Sequence, residues 1–200
     1  MNKIITIGRE FGSGGRELGK ILAEKLGYAY YDKEIITETA RRMSLSEDYV
    51  KQVVENNPYE VFHMSIAHSF SNMHLYNVHQ KHNVFSEQKS IIREMAEKGN
   101  CVIVGRCSDY LLKEYNPYKI FVYADMESKI KRCKSRLKTP NEFSDKQLKR
   151  NIKRIDRNRA KYYNFYTSQK WGNRLNYDIC VNTTGLDFDK LATHLANMLK

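Results

Sequence analysis

The sequence predicts an α/β fold in which a parallel sheet of five strands carries helices on both faces. Short apolar segments alternate with helical segments along all 200 residues. Residues 101–104 and 119–124 are almost continuously apolar, which is typical of strands buried on both faces. A glycine-rich turn at 8–16 joins the first strand directly to a helix. Alternating strands and helices imply crossover connections and a layered α/β domain.

The first half of the chain predicts two strands and four helices. The strands are 3–8 and 28–31, and the helices are 14–25, 33–42, 44–56 and 86–98. Leu18, Ile21 and Leu22 recur at helical spacing in the first helix, which Gly27 ends. Ser46 is a candidate N-cap. The segment 57–85 shows no clear periodicity.

The second half predicts three strands and four helices. The strands are 101–104, 119–124 and 177–182, and the helices are 109–115, 127–137, 144–166 and 187–200. Thr139, Pro140 and Asn141 separate the second and third of these helices. No repeat or linker divides the chain, so we expect a single domain over 1–200.

The glycine-rich turn predicts a phosphate site. A turn of this kind directs backbone N–H groups and a helix N-terminus at one point. It departs from the pattern G-x-x-x-x-G-K-[ST], because Gly15 and Arg16 stand where Lys and Ser/Thr are expected. Arg16 could supply the missing charge, although a guanidinium is not equivalent to an ammonium group. The hydroxyl that binds Mg²⁺ has no obvious replacement.

Composition favours a cytoplasmic protein with reduced thiols. No apolar stretch is long enough for a membrane span, and the chain starts in a strand rather than a signal peptide. The four cysteines form no C-x-x-C pair, and no two of the histidines at 63, 68, 74, 79 and 82 lie four residues apart. We therefore expect no metal site built from them.

The net charge of +11 is concentrated in one segment. Residues 129–161 contain 14 Lys and Arg against three acidic residues, so the rest of the chain is neutral. A local excess of this size favours an anionic partner, and a phosphate bound at the glycine-rich turn is the nearest candidate.

Ligands of open parallel sheets gather beyond the carboxyl ends of the strands. The polar residues there are Asp32 and Lys33 after the second strand, Arg106 after the third and Asp125 after the fourth. Arg106 directly follows a buried strand and is expected at the rim of the crevice, beside the glycine-rich turn.

Four further segments match a known family. They are YDKEII at 31–36, VGRCSDY at 104–110, KRIDRNRAKYY at 153–163, and WG at 171–172 followed by NYDICVN at 176–182. With the turn GREFGSGGRE, they make the chain resemble the cytidylate kinase-like family of P-loop nucleoside monophosphate kinases, in a branch whose loop lacks lysine. The resemblance spans nearly all of the chain.

The resemblance implies a three-layer P-loop kinase fold, an acceptor-binding helical region at about 33–85 and a basic lid at about 127–170. It implies ATP with Mg²⁺ as phosphate donor and a (d)CMP-like acceptor. The implied donor-site residues are Gly12, Ser13, Gly14, Gly15, Arg16 and Glu17. The implied acceptor-site residues are Asp32, Lys33, Arg106 and Asp109, and the implied catalytic residues are Arg16, Arg132, Asp156 and Arg159. Asp156 lies three residues before Arg159 and would hold its guanidinium ready.

Two alternatives stay open. The changes fall on the donor loop itself, so the chain could bind a nucleotide or another anion without turnover. A nucleic-acid-binding module would instead use the basic 129–161 segment, with Tyr162, Tyr163, Phe165 and Tyr166 as stacking surfaces. No recognised nucleic-acid fold accompanies that segment, and the oligomeric state is left open.

Overall fold

Five parallel strands form the centre of the protein. The computed structural model describes residues 3–55, 71–137 and 143–199. The strands are β1 (Ile4–Arg9), β2 (Ala29–Tyr31), β3 (Cys101–Val104), β4 (Tyr118–Tyr123) and β5 (Ile179–Asn182). Their order in the sheet is β2-β3-β1-β4-β5, and every neighbouring pair is parallel. The predicted fold class is confirmed.

Helices cover the sheet on both faces. In the described residues they are α1 (Gly15–Leu26), α2 (Glu34–Met43), α3 (Glu47–Glu55), α4 (Ser71–Glu97), α5 (Ser108–Leu111), α6 (Met126–Ser135), α7 (Asp145–Thr167) and α8 (Phe188–Leu199), with short 3-10 helices at Lys113–Tyr115 and Arg174–Asn176. Among these described helices, none combines the length and apolarity needed to cross a membrane.

Alternation along the strands builds two cores. Ile5 and Ile7 of β1 join one core with the apolar faces of α1 and α8, whereas Ile4 joins the other core with α2, α3, α4 and α7. In β3, Val102 packs with the first core and Ile103 with the second. Successive side chains of a strand point to opposite faces, so apolar residues at every position require helices on both sides.

Several helix boundaries differ from the sequence-based expectation. The helix predicted at 86–98 begins at Ser71 in the structure. The sequence does not reveal this start, because the first turns of the helix are polar and rich in histidine and show no clear helical period. The helix predicted at 109–115 divides into α5 and a 3-10 helix. Ser46 is confirmed as an N-cap, since its Oγ accepts a hydrogen bond from the N–H of Tyr49 at 3.2 Å.

Most of the basic segment lies in two capped helices, α6 and α7, which together we call the basic region. Asp125, one of the polar residues beyond the strand ends, caps α6, since its side chain accepts a hydrogen bond from the N–H of Ser128 at 2.6 Å. Ser144 and Gln147 form a capping box at the start of α7. The two helices pack against each other and flank β1 and its glycine-rich turn. Residues 138–142, His63 and His68 lie outside the described residues.

Candidate active site

The glycine-rich turn between β1 and α1 forms a cradle of backbone. Gly12 and Gly14 have φ of +76° and +83°, a conformation that costs most other residues about 1 kcal/mol or more. A methyl group on Gly14 would lie 2.1 Å from the ring of Phe188. Gly14 is also the N-cap of α1 and provides no side-chain cap, so the first-turn N–H groups lack that acceptor. An anion is the natural partner for such a helix terminus.

Arg132 stabilises the turn through hydrogen bonds to backbone carbonyl groups. Its Nη2 donates to the carbonyl of Thr183 at 2.5 Å, and its Nη1 lies 3.4 Å from the carbonyl oxygens of Gly12 and Ser13. Its guanidinium also stacks 5.0 Å from the Phe188 ring centre. The hydroxyl of Thr183 donates to the same Ser13 carbonyl at 2.7 Å. Arg132 is expected from the sequence to close on the transferring group; in this structure its hydrogen bonds run to the turn and to Thr183.

A buried lysine joins the turn to both basic helices. Lys129 of α6 is 5% exposed, and its Nζ lies 2.5 Å from the Glu10 carboxylate and 3.6 Å from that of Asp156 in α7. Asp156 also accepts a hydrogen bond from the N–H of Phe11 at 2.6 Å. Burial raises the pKa of Asp156, opposed by this N–H and by Lys129 and Arg159. Asp156 therefore holds the turn as well as the nearby Arg159, 3.8 Å away.

Four arginines meet at the carboxyl end of the sheet. Asp32, which is nearly buried, lies 2.7 Å from Nε of Arg16 and 3.7 Å from Nη2 of Arg9. Arg159 donates to the carbonyl oxygen of Arg9 at 3.2 Å. Arg106 follows β3 in the left-handed conformation, with φ of 59°. Burial and the charges of Arg159, Arg106 and Arg16 lower the pKa of Arg9, against a raising effect from Asp32.

Two clefts meet at this arginine cluster. The first, about 270 Å³, runs along the turn and is closed on its other side by apolar residues of the basic region, including Leu137, Leu148 and Ile152. The second, about 320 Å³, lies over the end of β3. It is lined by Arg106, Asp109, Arg154, Asn158, Trp171 and Tyr177, among others. Arg9 and Arg159 line both clefts.

Asp109 forms part of the second cleft's wall. It is 8% exposed, and the hydroxyl of Tyr163 donates to it at 2.6 Å. Burial raises the pKa of Asp109, with hydrogen bonds acting in the opposite direction. The same burial, together with the Asp109 charge, raises the pKa of Tyr163. This pair fixes the cleft wall to α7.

Two predicted site residues lie elsewhere. Lys33 lines a separate hollow with Thr37, Glu38 and Arg42, away from the arginine cluster. Glu17 forms an ion pair with Arg136 at 2.7 Å, and about half of each side chain is exposed. Lys33 was expected beside the acceptor and Glu17 beside the donor; the structure places neither in the lining of the two clefts.

The structure brings together most of the other predicted residues and adds two that sequence reasoning missed. Arg16, Asp32, Arg106, Asp156 and Arg159 lie around the two clefts. Arg9 and Lys129 are the additions. Lys129 carried no distinguishing signal within a basic segment. Arg9 directly follows the apolar run of β1, so its position at a strand end was the available signal.

Solved structures resemble the chain over nearly its full length. A structure described as an uncharacterized protein from Eubacterium ventriosum is 29% identical, with a TM-score of 0.70 and 98% coverage of both chains. A shikimate kinase from Bacteroides thetaiotaomicron is 15% identical, with a TM-score of 0.57, and the match covers 100% of this chain and 99% of the shikimate kinase chain. The latter likeness concerns the fold, which is that of the P-loop kinases.

Functionally curated proteins yielded no significant match. The sequence profile of the cytidylate kinase-like family, in contrast, matches residues 4–185. That range includes the turn, all five strands and the basic helices α6 and α7. On this match the chain belongs to the cytidylate kinase-like family.

Proposed function

We propose that the protein transfers the γ-phosphoryl group of ATP to the phosphate of a (d)CMP-like nucleoside monophosphate. The observation that carries this proposal is a cluster of four arginines, two of which face the Asp32 carboxylate, where two clefts join beside a glycine-rich turn. Such an excess of positive charge favours phosphates in both clefts. A kinase of this class needs two adjoining phosphate sites, because donor and acceptor phosphates must come into contact.

The first cleft fits the donor phosphates. The uncapped N-terminus of α1 supplies N–H donors, and the turn is held in shape from behind by Arg132 and Thr183. A rigid cradle of this kind stabilises charge without reorganisation. Its residues therefore fit a triphosphate.

The residues around the turn fit Mg²⁺ less well than they fit phosphate. Gly15 and Arg16 provide no hydroxyl, and the carboxylates of Glu10 and Asp156 already share Lys129. Within the described parts of the chain, no cluster of three or more candidate metal-ligating side chains occurs. Mg²⁺ often retains water and binds chiefly through substrate phosphates. We assign no protein ligand to it and no step through it.

The second cleft fits a nucleoside monophosphate. Arg106, Arg154 and Arg159 offer cations to its phosphate, while Trp171 and Tyr177 offer aromatic surface. Asn158 and Gln52 provide amide groups that can hydrogen-bond to a base or sugar. Aromatic rings and a few polar groups are the usual lining of a small-molecule site.

The reaction requires alignment and charge rather than a base. An oxygen of the acceptor phosphate forms a bond to the γ-phosphorus while the bond to the β,γ-bridging oxygen breaks, leaving ADP and a nucleoside diphosphate. The attacking oxygen of a phosphate dianion carries no proton, so no proton acceptor is needed. Arginines around the transferring group stabilise its charge, and one well-placed arginine can contribute about 10³-fold or more in phosphoryl transfer.

The test is ADP release from ATP and Mg²⁺ with a panel of acceptors, beginning with CMP, dCMP and UMP. We expect acceptor-dependent ADP from the wild-type protein and its loss in Arg106→Ala. Release that is independent of every acceptor, or unaffected in Arg106→Ala, would contradict the proposal.

A second candidate function is nucleotide binding without turnover. It is favoured by Gly15 and Arg16 at the positions of the loop lysine and hydroxyl. In that case ATP would raise the melting temperature while no acceptor from the panel produced ADP. The same assay, paired with thermal unfolding, separates the two candidates.

A further inference from the structure

We propose that Arg9 binds the transferring phosphoryl group and takes the part that a lysine of the glycine-rich turn would otherwise play. This inference rests on the proposed function and extends it to a residue of β1. Three properties of Arg9 support this role, namely the space around its side chain, its unsatisfied hydrogen-bonding capacity and its position between the two clefts.

Two glycines make room for the Arg9 side chain. A methyl group on Gly15 would lie 2.6 Å from Cβ of Arg9, and one on Gly105 would lie 1.7 Å from its Nη1. Gly15 is the position at which the usual loop has lysine. A lysine there would collide with the arginine stem, so the missing lysine and the presence of Arg9 belong to one arrangement.

The guanidinium is buried with incomplete hydrogen bonding. Its side chain is 11% exposed, and its Nε is buried without a hydrogen-bond partner in the part of the chain that the structure describes. The nearest carboxylate oxygen, Oδ1 of Asp32, is 3.7 Å from Nη2 and likewise has no hydrogen bond there. A distance of 3.7 Å is too long for a hydrogen bond.

A structural ion pair would not leave these groups so poorly matched. A buried polar atom without a partner costs stability, more so when it is charged. Burial, and after it the repulsion from three further arginines, lowers the pKa of Arg9, against a raising effect from Asp32. The phosphate oxygens of a ligand would satisfy Nε and offset the excess charge, because a guanidinium binds phosphate through a planar fork.

Arg9 also lies at the junction of the two clefts, where a transferring phosphoryl group would be held. It lines both clefts, and its carbonyl is held by Arg159 of α7. Arg16, the residue that the sequence suggested for this part, is 45% exposed and lines only the first cleft. Asp32 pairs closely with Arg16, so its carboxylate keeps a partner when Arg9 turns to a phosphate.

The experiment compares Arg9→Met with wild type and with Arg174→Met, an exposed arginine outside both clefts. Methionine retains a stem of similar length and removes the guanidinium. ATP affinity is measured by calorimetry, turnover by ADP release and stability by thermal unfolding. For Arg9→Met we expect at least tenfold weaker ATP binding, a loss of kcat of about 10²-fold or more, and no fall in Tm. The control should match wild type in all three.

ATP affinity decides the inference even if the proposed function fails. If wild type binds ATP but phosphorylates no acceptor, the proposed function is wrong, and tenfold weaker binding by folded Arg9→Met still supports a phosphate-binding Arg9. ATP affinity within twofold of wild type would overturn the inference. A lower Tm with unchanged affinity would identify Arg9 as purely structural. Arg9→Lys, which retains the charge without the fork, should recover part of the affinity but not the turnover.

Discussion

The Nζ atom of Lys129 lies 2.5 Å from the carboxylate of Glu10, so a helix of the basic region is tied directly to the glycine-rich turn. The same ammonium group lies 3.6 Å from Asp156, which in turn accepts the N–H of Phe11. One buried cation thereby joins the glycine-rich turn, α6 and α7. Part of the basic segment therefore has a structural role, which is to hold the glycine-rich turn in place.

Removing this cation should destabilise the protein. Lys129→Met would leave Glu10 and Asp156 close together without their shared partner, and breaking a buried pair in this way costs about 3 kcal/mol or more. Urea unfolding measures the change, with Lys131→Met, exposed on the same helix, as the control. A loss no larger than that of the control would show that the buried network contributes no net stability.

Gly14 should tolerate a side chain less well than Gly27. Both have positive φ, +83° and +67°, so alanine costs each roughly 1 kcal/mol in backbone strain. Gly27 has open space around it, whereas a methyl group on Gly14 meets the Phe188 ring. We expect Gly14→Ala to lose about 3 kcal/mol of unfolding free energy and Gly27→Ala about 1 kcal/mol. Equal losses would exclude close packing of Phe188 on the turn.

The pH dependence of stability should change in Asp109→Asn. The pKa of Asp109 is higher in the folded protein than in the unfolded chain, mainly through burial. Its contribution is therefore fully present below the unfolded pKa of about 4 and is lost as pH rises through the folded pKa. Asparagine still accepts from Tyr163 and does not ionise, so the variant should gain stability relative to wild type as pH rises from 4 to 7.

Urea unfolding across that pH range measures the effect. Asp48→Asn, at a highly exposed position, is the control and should follow wild type. A difference between Asp109→Asn and wild type that stays constant with pH would contradict a raised pKa at Asp109.

Arg159 should affect transfer more than substrate binding. Arg159→Lys retains the charge but loses the planar fork that can reach both the Arg9 carbonyl and a phosphate. We expect kcat to fall by about 10²-fold while both KM values change by less than about threefold, since the interaction would strengthen in the transition state. Arg157→Lys, exposed and outside both clefts, is the control. Equal fold-changes in KM and kcat would show that Arg159 does not act mainly on the transition state.

Local sequence patterns accounted for the strands and for most helices. The apolar segment Cys101–Val104 is short and continuously apolar, a pattern that favours a strand covered by helices on both faces, and all four of its residues are buried in the structure. The N-cap at Ser46 was equally visible, since capping depends on a few neighbouring residues. The start of α4 at Ser71 was not, because its first turns lack an apolar period.

The site was predictable where a residue's position along the chain determines its place in the sheet. Asp32 directly follows β2 and Arg106 lies two residues after the end of β3, and their place at the carboxyl edge follows from parallel topology. Lys33 is adjacent to Asp32, yet it precedes α2 and faces another hollow. Two adjacent residues at a strand end can therefore face different hollows, and their spacing along the chain does not reveal this difference.

The sequence by itself determined the α/β class, the strand–turn–helix that contains the glycine-rich turn and the family to which the chain belongs. Only the tertiary structure decided the place and the contacts of each basic side chain. Arg132 hydrogen-bonds to the turn, Lys129 is buried against it and Arg9 lies at the junction of the clefts. Strand, turn and helix signals are local, because they depend on residues a few positions apart. The role of a charged side chain depends on partners more than 100 residues away, and only folding brings those partners within a few ångströms.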